Sequence, residues 1–257
     1  MARDSISLFT ELTMLYLVIS DIHANLEALE AVLADAGPTD ATLCLGDVVG
    51  YGADPNACVE LVRILPDLSC LVGNHDCAAL GTIDLNTFNP EARFAAEWTA
   101  RQLTDENRQY LLTLSSKLEM SHFALAHASP RDPIWEYMVS PTQGPPNFAA
   151  FSGPLCLVGH THVPRVFEED DDGSSSKVWI PEFQESVALH EGPRRILNPG
   201  GVGQPRDGDP RAAYALYDSD SGEFQYRRVP YNFERAAKKI VRAGLPEILA
   251  SRLSMGL

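Results

Sequence analysis

Nowhere in the 257 residues does an apolar run approach the ~18 needed to cross a membrane. The short "MLYLVI" near the start carries neither a basic flank nor a small-residue cleavage site. The sequence therefore predicts neither a membrane span nor a secretion signal. Positive charge is scarce as well: 20 Lys and Arg stand against 35 Asp and Glu, a formal net charge of −15. That balance argues against a partner as basic-hungry as duplex DNA, whose binding rests on Lys and Arg neutralising phosphates. It leaves room for phosphate chemistry at a site that gathers cations. Cysteine is sparse, five in all, an odd number without CxxC spacing. Cys44, Cys70 and Cys156 sit in apolar, strand-like runs, which reads as reduced core thiols of a cytoplasmic protein rather than disulfides or zinc thiolates. Cys77 follows polar residues and reads as a partly exposed spare thiol. There is no internal repeat and no long linker. "EEDDDGSSSK" (168–177) supplies part of the acidity but lacks the alternating ligands of a calcium loop, so it is expected to be a solvated hairpin loop.

What is present is a β-α-β-α-β opening. "LYLVIS" (15–20) reads as a buried strand, and "ANLEALEAVLADAG" (24–37) as a helix with an apolar stripe and a terminal Gly. "ATLCLG" is a second strand, followed after Asp54-Pro55 by a helix to about Leu65, and "LSCLVG" is a third strand. This order predicts a parallel sheet with helices on its faces. Helical patterns fill Pro90 to Leu114. From Lys117 strands dominate ("FALAHA", "PLCLVGH", "VPRVF", "KVWIP", "RRILNPG", "AAYALYD", "EFQYRRV"), and a last helix runs from about Asn232 to Ala243. The second half is expected to form a more mixed or antiparallel sheet packed on the first, within one domain spanning 14–257. Residues 1–13 read as a loose extension, Met14 being an equally sensible start.

The strands end in chemistry. "VISDIHAN" places Asp21 and His23 at the end of the first, "CLGDVVGYG" places Asp47, and "LVGNHD" places Asn74, His75 and Asp76; "LAHASP" carries His127 and "LVGHTHVP" carries His160 and His162. In open α/β sheets the carboxyl ends of strands share one edge, where ligands bind, so these distant groups are expected to converge. Alternate residues of an extended chain point the same way, which would let Asp21/His23 and His160/His162 each present two groups to one cavity. Each motif alone has a bland reading as a capped turn or a surface His. The set does not, since five of the seven histidines follow small or apolar residues at strand ends. His122 and His190 fit no constellation and read as solvent-facing. Carboxylate, imidazole and amide oxygen without thiolate suit divalent Mn, Fe, Co, Ni or Zn. There are ligands enough for two ions with one carboxylate bridging. Asp21 and Asp47 contribute −2 against +4, so the centre would be a cationic spot that attracts phosphate and stabilises a hydroxide near neutral pH.

The ordered motifs DxH, GDxxG, GNH[DE], a lone His and GHxH resemble those of the calcineurin-like metallophosphoesterase superfamily. All five lie between Asp21 and His162, and the likeness extends through "NPGGVGQPRDGDPRAAYALYD", nearest to small stand-alone prokaryotic phosphoesterases and phosphodiesterases. The resemblance implies an α/β fold of two mixed β-sheets packed as a sandwich and flanked by helices, four layers in αββα order. It implies that Asp21, His23, Asp47 and His162 hold one metal, and that Asp47, Asn74, His127 and His160 hold the other, with manganese the first choice. His75 would stabilise the phosphoryl charge and protonate the leaving oxygen as general acid, with Asp76 orienting it. The implied activity is hydrolysis of a small phosphomonoester or phosphodiester by a hydroxide held between the metals.

Departures from the pattern narrow the reading. Protein phosphatases of the superfamily carry Asp and Arg in GDxxDRG, where this chain has Gly50 and Tyr51, so a phosphate-clamping Arg is missing from that loop. His127-Ala128 and Gly200-Gly201 stand where relatives often have HG and NPGS. Arg131, Arg165 and Arg206 are candidate clamps, with surface placement the expected reading. The stretch "SPRDPIWEYMVSPTQGPPNFAAF" (129–151) is expected to form the pocket wall, with Trp135, Tyr137 and Phe148 stacking on a base or forming a hydrophobic lid. The alternatives are a serine/threonine protein phosphatase, a dinucleoside tetraphosphatase-like hydrolase, a nuclease, and a non-catalytic metal-binding scaffold.

Overall fold

Leu15–Ile19 (β1) shows how the layers arise. Its alternate side chains face opposite ways: Leu17 and Ile19 enter one apolar core with helical residues, while Val18 enters a second core with strand residues. The computed structural model describes residues 13–120, 123–190 and 192–257. Residues 1–12 of the predicted extension and His122 lie outside them. After β1 come α1 (Leu26–Ala36), β2 (Ala41–Cys44), α2 (Pro55–Arg63), β3 (Leu68–Cys70) and α3 (Asn74–Leu80). The middle of the chain holds α4 (Pro90–Gln102), α5 (Asp105–Leu112), β4 (Lys117–Glu119), β5 (Ala124–Ala126), α6 (Gly144–Phe148) and β6 (Leu155–Val158). The remainder is β7 (Arg165–Glu169), β8 (Ser176–Trp179), β9 (Ser186–Ala188), β10 (Arg195–Asn198), β11 (Ala212–Asp218), β12 (Glu223–Val229), α7 (Phe233–Arg242) and α8 (Glu247–Ser251).

Two mixed six-stranded sheets result. One runs β3-β2-β1-β11-β12-β9 and the other β4-β5-β6-β10-β7-β8. β1, β2 and β3 pair in parallel as the opening predicts, but β1 also pairs antiparallel with β11, Leu15 opposite Asp218. The two halves of the sequence therefore do not map onto the two sheets. β11, β12 and β9 return to complete the first sheet, which composition could not show because strands of either sheet carry the same apolar alternation. Between the sheets lie Val18, Leu43, Leu45 and Leu71 from one side and Leu125, Leu157, Val166 and Leu197 from the other. On the outer face of the first sheet α1 and α2 bury Leu29, Val32, Val59 and Val62. On the outer face of the second, Phe148 and Phe151 cover Cys156, Phe167 and Ile196. The sequence of layers is helix, sheet, sheet, helix, as expected.

Local chemistry explains the helix that positions the site. α1 starts where the Asn25 side chain accepts from the Ala28 N–H, and it ends at Gly37, whose φ of 69° suits glycine. It is tied to α7 and to the loop before α2 through Glu27–Lys239 and Lys239–Asp54, each 2.7 Å. The residues read as the end of the third strand begin a helix, α3: Gly73 precedes it, Asp76 accepts from the Gly73 N–H at 2.9 Å, and Gly81 closes it with φ 73°. Asn74, His75 and Asp76 are thus its first turn rather than the end of β3.

Candidate metal centre

Each motif sits just past a strand, and five of the seven expected ligands have left-handed backbones: Asp21 (φ 54°), His23 (49°), Asp47 (51°), His160 (65°) and His162 (60°). None is a glycine, and such conformations cost about 1–2 kcal/mol each for side chains of this kind. The surrounding hydrogen bonds hold them. Asp21 N–H donates to the Gly46 carbonyl at 3.1 Å and His23 N–H to the Asp47 carbonyl at 2.9 Å, lacing the ends of β1 and β2 together. Gly73 lies so near Asp47 that a Cβ there would stand 2.1 Å from Oδ1. Asn198 donates to the Gly159 carbonyl (2.6 Å) and to Thr161 Oγ1 (3.0 Å), bracing the turn that carries His160 and His162.

The side chains converge in two groups, Asp21/His23/His162 and Asp47/His127/His160, all buried. His162 Nε2 lies 3.4 Å from Asp21 Oδ1 and 3.1 Å from His23 Nε2. Asn74 Oδ1 lies 3.1 Å from His127 Nε2, adding an amide oxygen to the second group. Asp47 Oδ2 faces both groups, 3.7 Å from His23 Nε2 and 3.5 Å from His127 Nε2, while its Oδ1 accepts the His75 N–H at 2.8 Å. The backbone at His160 and His162 is left-handed rather than extended, and both rings still face the one centre, His162 in the first group and His160 in the second.

The donors fit divalent cations on three observations. Asp21 Oδ1, Asp47 Oδ2 and His160 Nε2 are buried without a hydrogen bond, the arrangement in which an ion would satisfy them. Ligand atoms on metal bonds of ~2.0–2.2 Å stand about 2.8–3.6 Å apart, and the distances among these ligand atoms run from 3.1 to 3.9 Å, so the cage needs to close by only a few tenths of an ångström (~0.3 Å) to grip an ion. The remaining nitrogen of three rings is engaged: Nδ1 of His23, His127 and His162 lies 3.2, 2.8 and 2.6 Å from the carbonyls of Val49, Leu45 and Gln204. A carbonyl takes only an N–H, so each Nε2 is left with its lone pair turned inward.

The electrostatics agree. Burial, with Asp47 nearby, pushes Asp21 up to about 7, and burial with the charge of Asp76 raises Asp47 well above the usual carboxylate range. Burial also keeps His23 and His162 neutral and takes His160 down to about 2. Neutral imidazoles beside carboxylates that cannot comfortably ionise form a cavity that gains from positive charge.

His75 stands over the groups, its ring centre 4.9 Å from that of His23 and its Nδ1 buried without a partner. Asp76 makes no hydrogen bond to its ring. Its carboxylate accepts from the N–H groups of Val49 and Gly73, both at 2.9 Å, so it fastens the two loops on either side of His75. Tyr51 packs on His75 at 4.3 Å and on His23 at 4.8 Å, and Phe88 on His75 at 5.1 Å. Phe88 went unnoticed in the sequence, where a lone aromatic before Asn-Pro carries no signal. Of the predicted wall, Trp135 meets Phe88 at 5.3 Å and Tyr137 covers His160 at 4.1 Å, both part-exposed, whereas Phe148 is core. Arg131 pairs with Glu136 at the surface and Arg165 donates to the Val139 carbonyl. Arg206 does not lie on open surface as expected: its Nε is buried and its guanidinium lies 5.8 Å from the Tyr51 ring. His190 is exposed, as read from the sequence.

Known proteins carry the same scaffold. A metallophosphoesterase from Sphaerobacter thermophilus superposes over 96% of this chain and 100% of its own, with TM-score 0.88 and 47% identity. An uncharacterized protein of Methanocaldococcus jannaschii is 40% identical over 251 residues, 93% of this chain and 97% of the relative. A hypothetical protein of Pyrococcus horikoshii OT3, at 19% identity, shares the fold with TM-score 0.72 over 95% of this chain and 98% of its own. The family model of the calcineurin-like phosphoesterase superfamily domain matches residues 14–222, most of the chain. With its two ligand groups standing where the family's motifs end, the chain belongs to the calcineurin-like phosphoesterase superfamily.

Proposed function

We propose that this chain hydrolyses a small phosphomonoester or phosphodiester with the help of two divalent cations, manganese first among them. The observation that carries the reading is the single oxygen, Asp47 Oδ2, facing both ligand groups. Asp21, His23, Asp47 and His162 would hold one ion, and Asp47, Asn74, His127 and His160 the other. When bound, such a pair supplies positive charge for phosphate, a nucleophile at neutral pH, and stabilisation of attacking and leaving oxygens.

The chain's own residues do the rest. The three carbonyl-anchored imidazoles hold one tautomer each, so no ring must turn when substrate arrives. Burial, and next the charge of Arg206, keep the His75 imidazole neutral in the free protein. A phosphoryl dianion beside it favours the protonated form, so His75 receives its proton as substrate binds and passes it to the leaving oxygen. Asp76 serves this step by fixing the start of α3 rather than by a hydrogen bond to the ring. The net charge of −15, the five free cysteines and the want of any membrane-crossing helix among the described residues accord with a small phosphorylated substrate, no duplex nucleic acid partner and a cytoplasmic setting.

Hydrolysis of p-nitrophenyl phosphate or its bis ester should require Mn²⁺ and stop on chelation. His75→Ala should lose about 10²–10⁴-fold in turnover while keeping its metal. Unchanged turnover would remove His75 from the mechanism.

A further inference from the structure

The expected ligands are nearly sealed, none more than 3% exposed, whereas two aromatic side chains beside them stay open: Trp135 is 37% and Tyr137 48% exposed. Both stand on the loop before α6, and between them Met138 is buried in the core beneath. That loop is fastened. The Gln143 side chain accepts from the N–H groups of Val139 and Ser140 at 2.8 and 2.9 Å and donates to the Tyr137 carbonyl at 2.6 Å. Arg165 donates to the Val139 carbonyl at 2.6 Å, and the Trp135 N–H donates to Asp132 Oδ1 at 3.2 Å. Phe88 is held in the same manner, between the short turn Leu85–Thr87 and the start of α4, where Asn89 Oδ1 accepts from the Ala92 N–H at 2.8 Å.

These rings make a path that leads to His75. Tyr51 packs on His75 at 4.3 Å, Phe88 meets the same imidazole at 5.1 Å, and Trp135 meets Phe88 at 5.3 Å. Tyr137 lies on His160 at 4.1 Å, at the other ligand group. A hydrophobic lid would bury its rings against one another. Trp135 and Tyr137 instead lean on different edges of the centre and stay exposed, apolar surface that an anchored backbone holds in water and that a stacking ligand would cover. The oxygen that leaves phosphorus must come within hydrogen-bond reach of His75, so the group it carries must lie among the neighbours of that ring. Tyr51 is buried, so the open side of His75 is the one that passes over Phe88 to Trp135.

We propose that Phe88 and Trp135 form a stacking wall for the leaving group, with Tyr137 at the rim beside His160, so that the preferred substrate is a phosphoester whose leaving group carries a planar aromatic ring. The assignment rests on the phosphoesterase reading and narrows it to a substrate class. An aromatic ring packed on another, offset or edge-on, gains from the charge distribution of both rings beyond the area it buries, and a saturated ring of similar size gains the burial alone. The ring is that of an aryl ester or of a nucleobase, each of which offers a π-face.

The test is competitive inhibition of Mn²⁺-dependent p-nitrophenyl phosphate turnover by methylphosphonate, benzylphosphonate and cyclohexylmethylphosphonate, in which the group on phosphorus stands in place of the leaving group. Benzylphosphonate should bind at least about tenfold more tightly than methylphosphonate and at least about threefold more tightly than the saturated analogue. Trp135→Leu, which keeps an apolar side chain but no ring, should bring benzylphosphonate down to the saturated analogue, and Trp135→Phe should keep most of the difference. Adenosine 5′-monophosphate against ribose 5-phosphate then separates the sources. A gain like that of benzylphosphonate over methylphosphonate identifies a nucleobase, and equal binding identifies an aryl ring on the ester itself. Benzylphosphonate binding no more tightly than its saturated analogue, or a preference undiminished by Trp135→Leu, overturns the wall. Absence of p-nitrophenyl phosphate turnover with every divalent metal would instead remove the phosphoesterase reading on which it stands.

Discussion

At the scale of single residues, the centre is built of carboxylates that resist ionising and imidazoles that resist protonation. Cation binding needs Asp21 ionised, and burial holds its proton up to about pH 7. The rings of His23, His160 and His162 are already neutral and have none to give. Metal uptake at pH 6 should therefore eject about one proton more than uptake at pH 8, and affinity should rise across that interval. Calorimetry in buffers of different ionisation heat measures the number directly. Equal release at both pH values would mean that Asp21 is ionised before the metal arrives. Most of these residues were legible in the sequence, because each follows small or apolar residues at a strand end. Their backbone was not, since Asp and His give no warning of a positive φ as glycine would. Phe88, which packs on His75, was invisible as a lone aromatic outside any motif.

At the scale of elements, α3 is the part that reading by periodicity could not see. Seven residues are too few to show a helical stripe, and "GNHD" resembles a turn as much as a helix start. Its first turn depends on Asp76, which satisfies two buried N–H groups of different loops. Asp76→Ala should leave both unsatisfied and cost about 2–5 kcal/mol, a fall of roughly 5–15 °C in Tm, with turnover lost as His75 shifts. A variant that melts normally yet turns over slowly would show that Asp76 acts on His75 directly. The loop before β6 has a comparable anchor. Burial alone would push Glu136 up, but hydrogen bonds from Ser129, Arg131 and Asn147 outweigh it and hold its carboxyl low. A lowered carboxyl stabilises the fold above its unfolded value and stops doing so as pH falls through the folded one. The loop carrying Trp135 and Tyr137 should consequently gain amide hydrogen exchange, beyond the intrinsic pH effect, only in the acid range below about 4.5. Gain already at pH 7 would contradict that role for Glu136.

At the scale of the whole molecule, two sheets bring residues from Asp21 to His162 to one rim, which is why the site can be strained and still hold. Two packed sheets were legible in the strand patterns and the four-layer order came from the family resemblance; sheet membership was not legible, since β11, β12 and β9 carry no mark of the sheet they join. The same architecture makes metal binding a source of stability. At an ion concentration of about 100 Kd the folded state should gain roughly 2.7 kcal/mol per site, and Tm should rise by several degrees relative to chelated protein. The most direct measurement is anomalous diffraction from crystals grown with Mn²⁺. Two peaks should appear about 3.5–4 Å apart on either side of Asp47 Oδ2, one among Asp21, His23 and His162 and the other among Asn74, His127 and His160. A single peak, or none within reach of Asp47, would contradict the account at its centre.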